Sequence, residues 1–149
     1  MRAVVQRVSR AQVSIGDEVV GKIGAGLLVL LGVAKTDTPA DAGYLAAKVT
    51  GLRVFEDENG KMNLSLSHTH GAILAVSQFT LYGDARKGKR PSFDDSAPPQ
   101  LANELYDNFV QKIRNAGVVC ETGRFQAMMQ VESANDGPVT ILLDSKRVF

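Results

Sequence analysis

Two short peptides hold most of the groups in this chain that could do chemistry: Ser77-Gln78-Phe79-Thr80-Leu81 and Asn135-Asp136-Gly137-Pro138-Val139-Thr140. The first leaves the apolar run Ile73-Leu74-Ala75-Val76 and presents two hydroxyls and a carboxamide together. The second sets Gly-Pro just ahead of Val139-Thr140-Ile141-Leu142-Leu143. Glycine lets backbone approach closely, and proline can hold a cis bond. Together they read as one polar, backbone-built site on a β scaffold. A plainer account stands beside it: Ser and Thr at a strand end often only satisfy backbone groups, and Gly-Pro is a common turn.

Hydrolysis by an activated Ser or Thr needs an adjacent base. The chain has two histidines, His68 and His70, in Ser67-His68-Thr69-His70-Gly71. That segment reads as an exposed, solvated connection. A His-x-His pair can bind metal, but no cysteine or third histidine is near, so no metal site is expected. A Ser-His-Asp triad is poorly supported, and a hydrolase built on these peptides would take its base from elsewhere. There is no Gly-x-Ser-x-Gly elbow of an esterase either.

Two basic features remain. Arg86-Lys87-Gly88-Lys89-Arg90 follows the Ser77 strand directly, which suits phosphate binding beside the site; Asp84, Asp94 and Asp95 dilute it, and a solvated loop is the plain alternative. Arg7 stands inside an apolar strand, where an unpaired guanidinium is costly, so it must brace something specific.

The elements that position these residues follow from periodicity. Ala3–Val8 is β-rich, and Gly16-Asp17 between Val13–Ile15 and Val19–Ile23 signals a hairpin. Leu27–Leu31 is apolar at every position and needs cover on both faces. Thr38-Pro39-Ala40-Asp41 opens a helix carrying Leu45, Val49 and Leu52. Arg53–Phe55 reads as a short strand and Asp57–Gly60 as a turn. Ala72–Leu81 reads as one strand, with Ser77, Phe79 and Leu81 on one face and Gln78 and Thr80 on the other. A loop follows to Ala97. A second helix starts near Pro98-Pro99, with Leu101, Leu105, Phe109 and Ile113 as its apolar stripe, and Gly117 stops it. Val118–Thr122, Gln126–Glu132 and Val139–Leu143 are the last strands.

That makes roughly eight strands and two helices. Two helices cannot cover a wholly parallel sheet. The expected fold is α/β of the α+β kind: a mixed, mostly antiparallel sheet curled toward a barrel, with both helices outside. The 149 residues suit one domain spanning 1–149. Seventeen basic residues oppose sixteen acidic ones, so net charge argues for no partner and any nucleic-acid surface must be local. Cys120, the lone cysteine, reads as a buried, inert thiol in a reducing compartment. No signal peptide or membrane span is visible, and a soluble, cytoplasmic protein is expected.

Taken in order, the motifs resemble the bacterial-type D-aminoacyl-tRNA deacylase family. They are Gln6-Arg7-Val8, Gly24–Val33, Gly60-Lys61-Met62-Asn63-Leu64, Ser77–Leu81, Arg90-Pro91-Ser92-Phe93, Thr122-Gly123-Arg124-Phe125 and Asn135–Thr140. The pairing of Ser-Gln-Phe-Thr-Leu with Asn-x-Gly-Pro-x-Thr is the specific part. The tail Asp144–Phe149 belongs to no motif.

The resemblance implies an enzyme that hydrolyses the ester between a D-amino acid and the 3′-terminal adenosine of tRNA, with glycyl-tRNA as a second substrate and no cofactor. It implies a homodimer in which a cis Gly137-Pro138 enters the partner's pocket and excludes L side chains. Arg7 would hold the Gly-Pro carbonyls, with Asn135 in the same supporting motif. Backbone N–H groups around Gln78 and Phe79 would stabilise an oxyanion. Ser77, Gln78 and Thr80 would line the adenosine pocket, with Phe125 and Met129 as its apolar wall. Arg86, Lys87, Lys89 and Arg90 would meet tRNA phosphates. Within this reading, Thr80 attacks the ester or the ribose 2′-OH assists water; the missing base favours the second. The competing class is a non-enzymatic RNA-binding β-barrel, against which stand few aromatics and a balanced charge.

Overall fold

The computed structural model describes Met1–Phe149. Its longest elements are two strands that lie side by side. β1 (Arg2–Ile15) pairs antiparallel with β8 (Gln130–Asp144) along one edge. On its other edge β1 pairs with β3 (Gly26–Gly32) through residues 2–8 and with β2 (Glu18–Ile23) through residues 11–15, both antiparallel. β3 continues the sheet to β6 (Ala72–Ser77), and β6 to β7 (Cys120–Thr122), both parallel. A small antiparallel pair, β4 (Phe55–Glu56) and β5 (Met62–Leu64), stands apart.

The sheet is therefore mixed, and it curls until β2 approaches β7. Gly21 marks that approach: a Cβ there would lie 2.5 Å from the Thr122 carbonyl oxygen, so only glycine lets the two strands close. The alternation along β3 and β6 divides two cores. Leu27, Val29, Leu31, Ile73 and Ala75 face the helices, while Leu28, Leu74 and Val76 join Val8, Val13 and Ile23 inside the curl. Leu27–Leu31 is covered on both faces, as its unbroken apolar run requires.

The helices cover the outer face. α1 (Pro39–Gly51) starts at Thr38, whose backbone N–H donates to Asp41 Oδ2 at 2.8 Å, and buries Leu45 and Val49. α3 (Pro99–Asn115) packs against it through Leu105, Phe109 and Ile113, and Gly117 beyond its end takes φ +84°. No helix is long and apolar enough to cross a membrane.

Four elements differ from expectation. The strand leaving Ile73 ends at Ser77, and Phe79–Tyr82 is a 3₁₀ turn, so the strand alternation assigned to Ser77–Leu81 does not hold. The segments Ala3–Val8 and Val13–Ile15 are one strand, as are the last two. Long mutual pairing of β1 and β8 overrides the local breaks. A third helix, the single turn α2 (Leu66–Thr69), lies in the connection that carries the histidines, and residues 67–70 are exposed. There His68 Nδ1 accepts the Ser65 backbone N–H at 3.1 Å and so closes the helix start. Burial pushes the Cys120 thiol up to about 11, which leaves it a packed, unreactive group.

Candidate functional site

The polar peptide after β6 turns because its backbone changes partners there. Gln78 N–H still donates to Leu31 O at 2.8 Å, the last rung toward β3. Beyond it Gly83 N–H closes on Thr80 O at 2.9 Å. The turn lies directly on Gly32, where a Cβ would stand 3.0 Å from Leu81 Cβ and 3.1 Å from Gln78 O. Ser96 Oγ holds Phe79 O at 3.1 Å. The Gln78 N–H is thus already spent, which removes it from the expected oxyanion donors. The N–H groups of Phe79 and Thr80, at the start of the turn, have no acceptor within it.

Thr80 Oγ1 accepts a hydrogen bond from Gln78 Nε2 at 3.0 Å. No His, Asp or Glu is hydrogen-bonded to that hydroxyl, so a general base is not in contact with it. His68 and His70 sit on and after α2, outside this site.

Ser77 and Phe79 line a mostly apolar cavity of about 650 Å³. Phe125 and Met129 are in its wall, together with Phe93 and the 91% exposed Met128. Phe93 meets Phe79 edge-on, ring centroids 5.0 Å apart. Gln78 and Thr80 lie outside this wall. A second, polar cleft of about 610 Å³ lies against Tyr82. Its charges are already paired: Arg2 with Asp144, Lys35 with Asp95, Arg86 with Asp84, Lys146 with Asp41 and Asp37 with the Met1 ammonium. The apolar cavity, with two residues of the polar peptide in its wall, is the better seat for a ligand.

The second peptide is placed by a break in register. Gln6 pairs with Thr140 and Val8 with Asn135, so Asp136–Val139 bulges opposite the single residue Arg7. Arg7 is 7% exposed. Its Nε donates to Asp136 O at 3.1 Å and its Nη1 to Val54 O at 2.7 Å. It reaches the carbonyl before Gly137, not those of Gly137 and Pro138. Its Nη2 lies 3.0 Å from where a Cβ on Gly137 would stand, and Gly137 has φ +125°, so glycine fits on both counts. Asn135 closes the bulge: its Oδ1 accepts Val139 N–H at 3.2 Å, and its Nδ2 donates to Thr140 Oγ1 at 3.2 Å. The Gly137-Pro138 peptide is cis, and both residues are exposed.

One chain does not bring the two peptides together. Ser77 is level with Leu31, and Leu31 with Ala3, whereas the bulge stands opposite Arg7. The offset is about 13 Å along β1 and about 14 Å across the three strand spacings from β6 to β8. In the basic loop, Asp84 grips Arg86 with both oxygens, at 2.9 and 2.7 Å, and that guanidinium holds the Asp84 carboxyl down to about 2. Lys87, Lys89 and Arg90 are exposed. Sequence reasoning missed Gly32, Phe93 and Ser96 as parts of the site. The glycine ending an apolar strand and the Arg90–Phe93 motif were the available signals.

A family model described as D-Tyr-tRNA(Tyr) deacylase matches residues 4–144. The chain is similar to the D-aminoacyl-tRNA deacylase of Koribacter versatilis (strain Ellin345), 65% identical over 149 residues that span all of both chains. It is 62% identical over 149 residues to the D-aminoacyl-tRNA deacylase of Symbiobacterium thermophilum, covering 100% of this chain and 99% of that one. Among solved structures it is similar to a c-Myc DNA unwinding element binding protein, with TM-score 0.91 and 43% identity over 97% of this chain and 98% of that one. It also shares the fold of a probable eukaryotic D-amino acid tRNA deacylase, with TM-score 0.83 at 19% identity over 96% of this chain and 98% of that one.

Proposed function

The chain belongs to the D-Tyr-tRNA(Tyr) deacylase family of aminoacyl-ester hydrolases, and from that premise we propose how it sorts and cleaves its substrates. The terminal adenosine of a D-aminoacyl-tRNA seats in the apolar cavity between Phe125, Met129 and Ser77. The ester lies over the start of the Phe79–Tyr82 turn, where the N–H groups of Phe79 and Thr80 meet the developing oxyanion. The ribose 2′-OH assists the attacking water, because Thr80 has an amide donor for a neighbour and no base. The protein supplies position and electrostatics.

The chiral filter is Gly137-Pro138, entering the cavity from a second copy of the chain. One observation carries this reading. Gly137-Pro138 is exposed, closed at its base by Asn135 and backed by Arg7, and yet it stands far from its own chain's cavity. A braced, protruding peptide with nothing in its own chain to meet suits a pocket in another. The free outer edge of β8, with Leu142 56% exposed, favours a homodimer. Rigid backbone excludes an L side chain by clash, which discriminates better than an extra apolar contact. Glycine has no side chain to exclude, so glycyl-tRNA is a second substrate. Lys87, Lys89 and Arg90 meet acceptor-stem phosphates. Such an enzyme works in the cytoplasm beside the tRNA pool.

The name of the 43% identical solved structure speaks of DNA binding. A non-enzymatic nucleic-acid binder is therefore the alternative to test. Deacylation of D- and L-aminoacyl-tRNA measured side by side, with and without EDTA, decides. Release of the D isomer alone, unaffected by EDTA, is the expected result. Equal turnover of both isomers overturns the filter, and binding without turnover overturns the enzyme.

A further inference from the structure

The 3₁₀ turn Phe79–Tyr82 buries none of its own residues. Tyr82 and Gly83, at its end, border the polar cleft of about 610 Å³. Phe79 leans edge-on against Phe93, but with no residue of the turn fully buried its remaining contacts are few, and each of them sets where its N–H groups aim. Leu31 O and Ser96 Oγ hold the turn at its start. At its end the contact comes from the first turn-distant residue in sequence, Arg2. Its Nη1 donates to Leu81 O, next to Thr80, at 3.2 Å, and its guanidinium lies 4.6 Å from the Tyr82 ring centroid.

Arg2 is itself aimed. Its Nε donates to Asp144 Oδ2 at 3.0 Å, and the Asp144 side chain is only 3% exposed. The other carboxylate oxygen accepts the Lys146 backbone N–H at 2.7 Å. The Phe149 ring lies 5.8 Å from the same guanidinium. The end of β8 and the tail beyond it, which no sequence motif claims, are thus linked to the turn through one side chain. Burial first, then the carboxylates of Asp37 and Asp144, push the Tyr82 phenol up, so Arg2 meets a neutral ring.

We propose that Arg2, aimed by Asp144, is a positioning residue for the turn that carries Phe79 and Thr80. The proposal rests on the reading of that turn as the reacting face. A planar guanidinium can hold the carboxylate and the Leu81 carbonyl at once, whereas an ammonium on a flexible stem holds either in a different geometry. Misplacing the donors by about 1 Å is enough to cost on the order of 100-fold in rate.

The test is kcat and KM for a D-aminoacyl-tRNA with wild type, Arg2→Ala, Arg2→Lys and Asp144→Asn, each normalised to folded protein. In Arg2→Ala, kcat should fall about 10–100-fold while KM stays within about threefold. Arg2→Lys should fold and still lose most of that kcat. Because Arg2 borders an open cleft, millimolar ethylguanidinium should restore Arg2→Ala by roughly tenfold, and ethylammonium should not. A purely structural role lowers the folded fraction, not kcat per folded molecule, and does not respond to the added guanidinium. Wild-type kcat in folded Arg2→Ala or Arg2→Lys overturns the proposal, as does a loss in Arg2→Ala that ethylguanidinium leaves unchanged. Phe79→Pro, which deletes one of the two N–H donors at a first-turn position, is measured alongside Phe79→Ala, which keeps it. Equal kcat in these two overturns the reading of the turn itself; a further loss in Phe79→Pro with unaffected Arg2 variants overturns only the positioning role.

Discussion

Arg7 Nε lies 3.1 Å from the carbonyl oxygen of Asp136, one peptide ahead of Gly137. The arginine is buried, the Asp136 carboxylate lies 3.3 Å from the same Nε, and the bulge it holds is exposed. A rigid group in the interior therefore sets the attitude of a peptide at the surface. Val54 O, 2.7 Å from Nη1, fixes the other end of the same guanidinium.

Removing that brace should loosen selection before it unfolds the protein. Arg7→Ala leaves Val54 O and Asp136 O without a partner, a cost of about 1–3 kcal/mol. The ratio of D to L hydrolysis should fall by about tenfold or more, and Arg7→Lys should rescue it poorly. Paired hydrolysis assays with a mass measurement of the assembly check this. An unchanged ratio in folded Arg7→Ala ends the bracing role.

Thr80→Ala should lower deacylation by no more than about tenfold, since its hydroxyl accepts a hydrogen bond from Gln78 and has no base as a partner. A substrate ending in 2′-deoxyadenosine should be slower by about 100-fold or more. Single-turnover kinetics with both substrates make the comparison. A covalent amino-acyl ester trapped on Thr80 would reverse the assignment.

Gly32→Ala should damage activity more than stability. The added methyl meets Leu81 Cβ at 3.0 Å and Gln78 O at 3.1 Å, both belonging to the exposed turn, which can shift. A shift of the turn relieves the clash for about 1–3 kcal/mol but moves the donors, so kcat should fall roughly 100-fold. Thermal unfolding and kcat measured on the same preparation separate the two effects.

Asp41 makes the stability of the fold depend on pH on the acid side. Burial alone would raise its carboxyl, but hydrogen bonds from Lys146, Ser145 and Thr38 outweigh burial and hold it well below the usual carboxylate range. A folded value below the unfolded one adds stability that is complete above the ordinary carboxylate value and is lost as pH falls through the folded one. Asp41→Asn should therefore cost about 1.5–3 kcal/mol at neutral pH. The difference from wild type should shrink as pH falls from about 5 toward 2. Urea unfolding of both proteins across that range gives the curve, and a constant difference rejects the linkage.

The sequence by itself determined the two long helices, the doubly covered β3 strand and the identity of the two polar peptides. These rest on local chemistry: Thr38-Pro39-Ala40-Asp41 starts a helix wherever it stands, and five consecutive apolar residues need cover on two faces. It also marked Arg7 as a brace, because a guanidinium in an apolar strand must have partners. Which partners could not be read. The register slip that puts Asp136–Val139 opposite Arg7 is a property of the β1–β8 pairing, and pairing joins residues more than 120 positions apart. The same long-range pairing fused strands that looked separate. The end of β6 at Ser77 was hidden because the break comes from Gly32 on a neighbouring strand making room for a turn, not from any breaker within Ser77–Leu81. The separation of the two peptides was likewise decided by strand order. Similar polar signals, read along a chain, say nothing of which end of a curled sheet each will occupy.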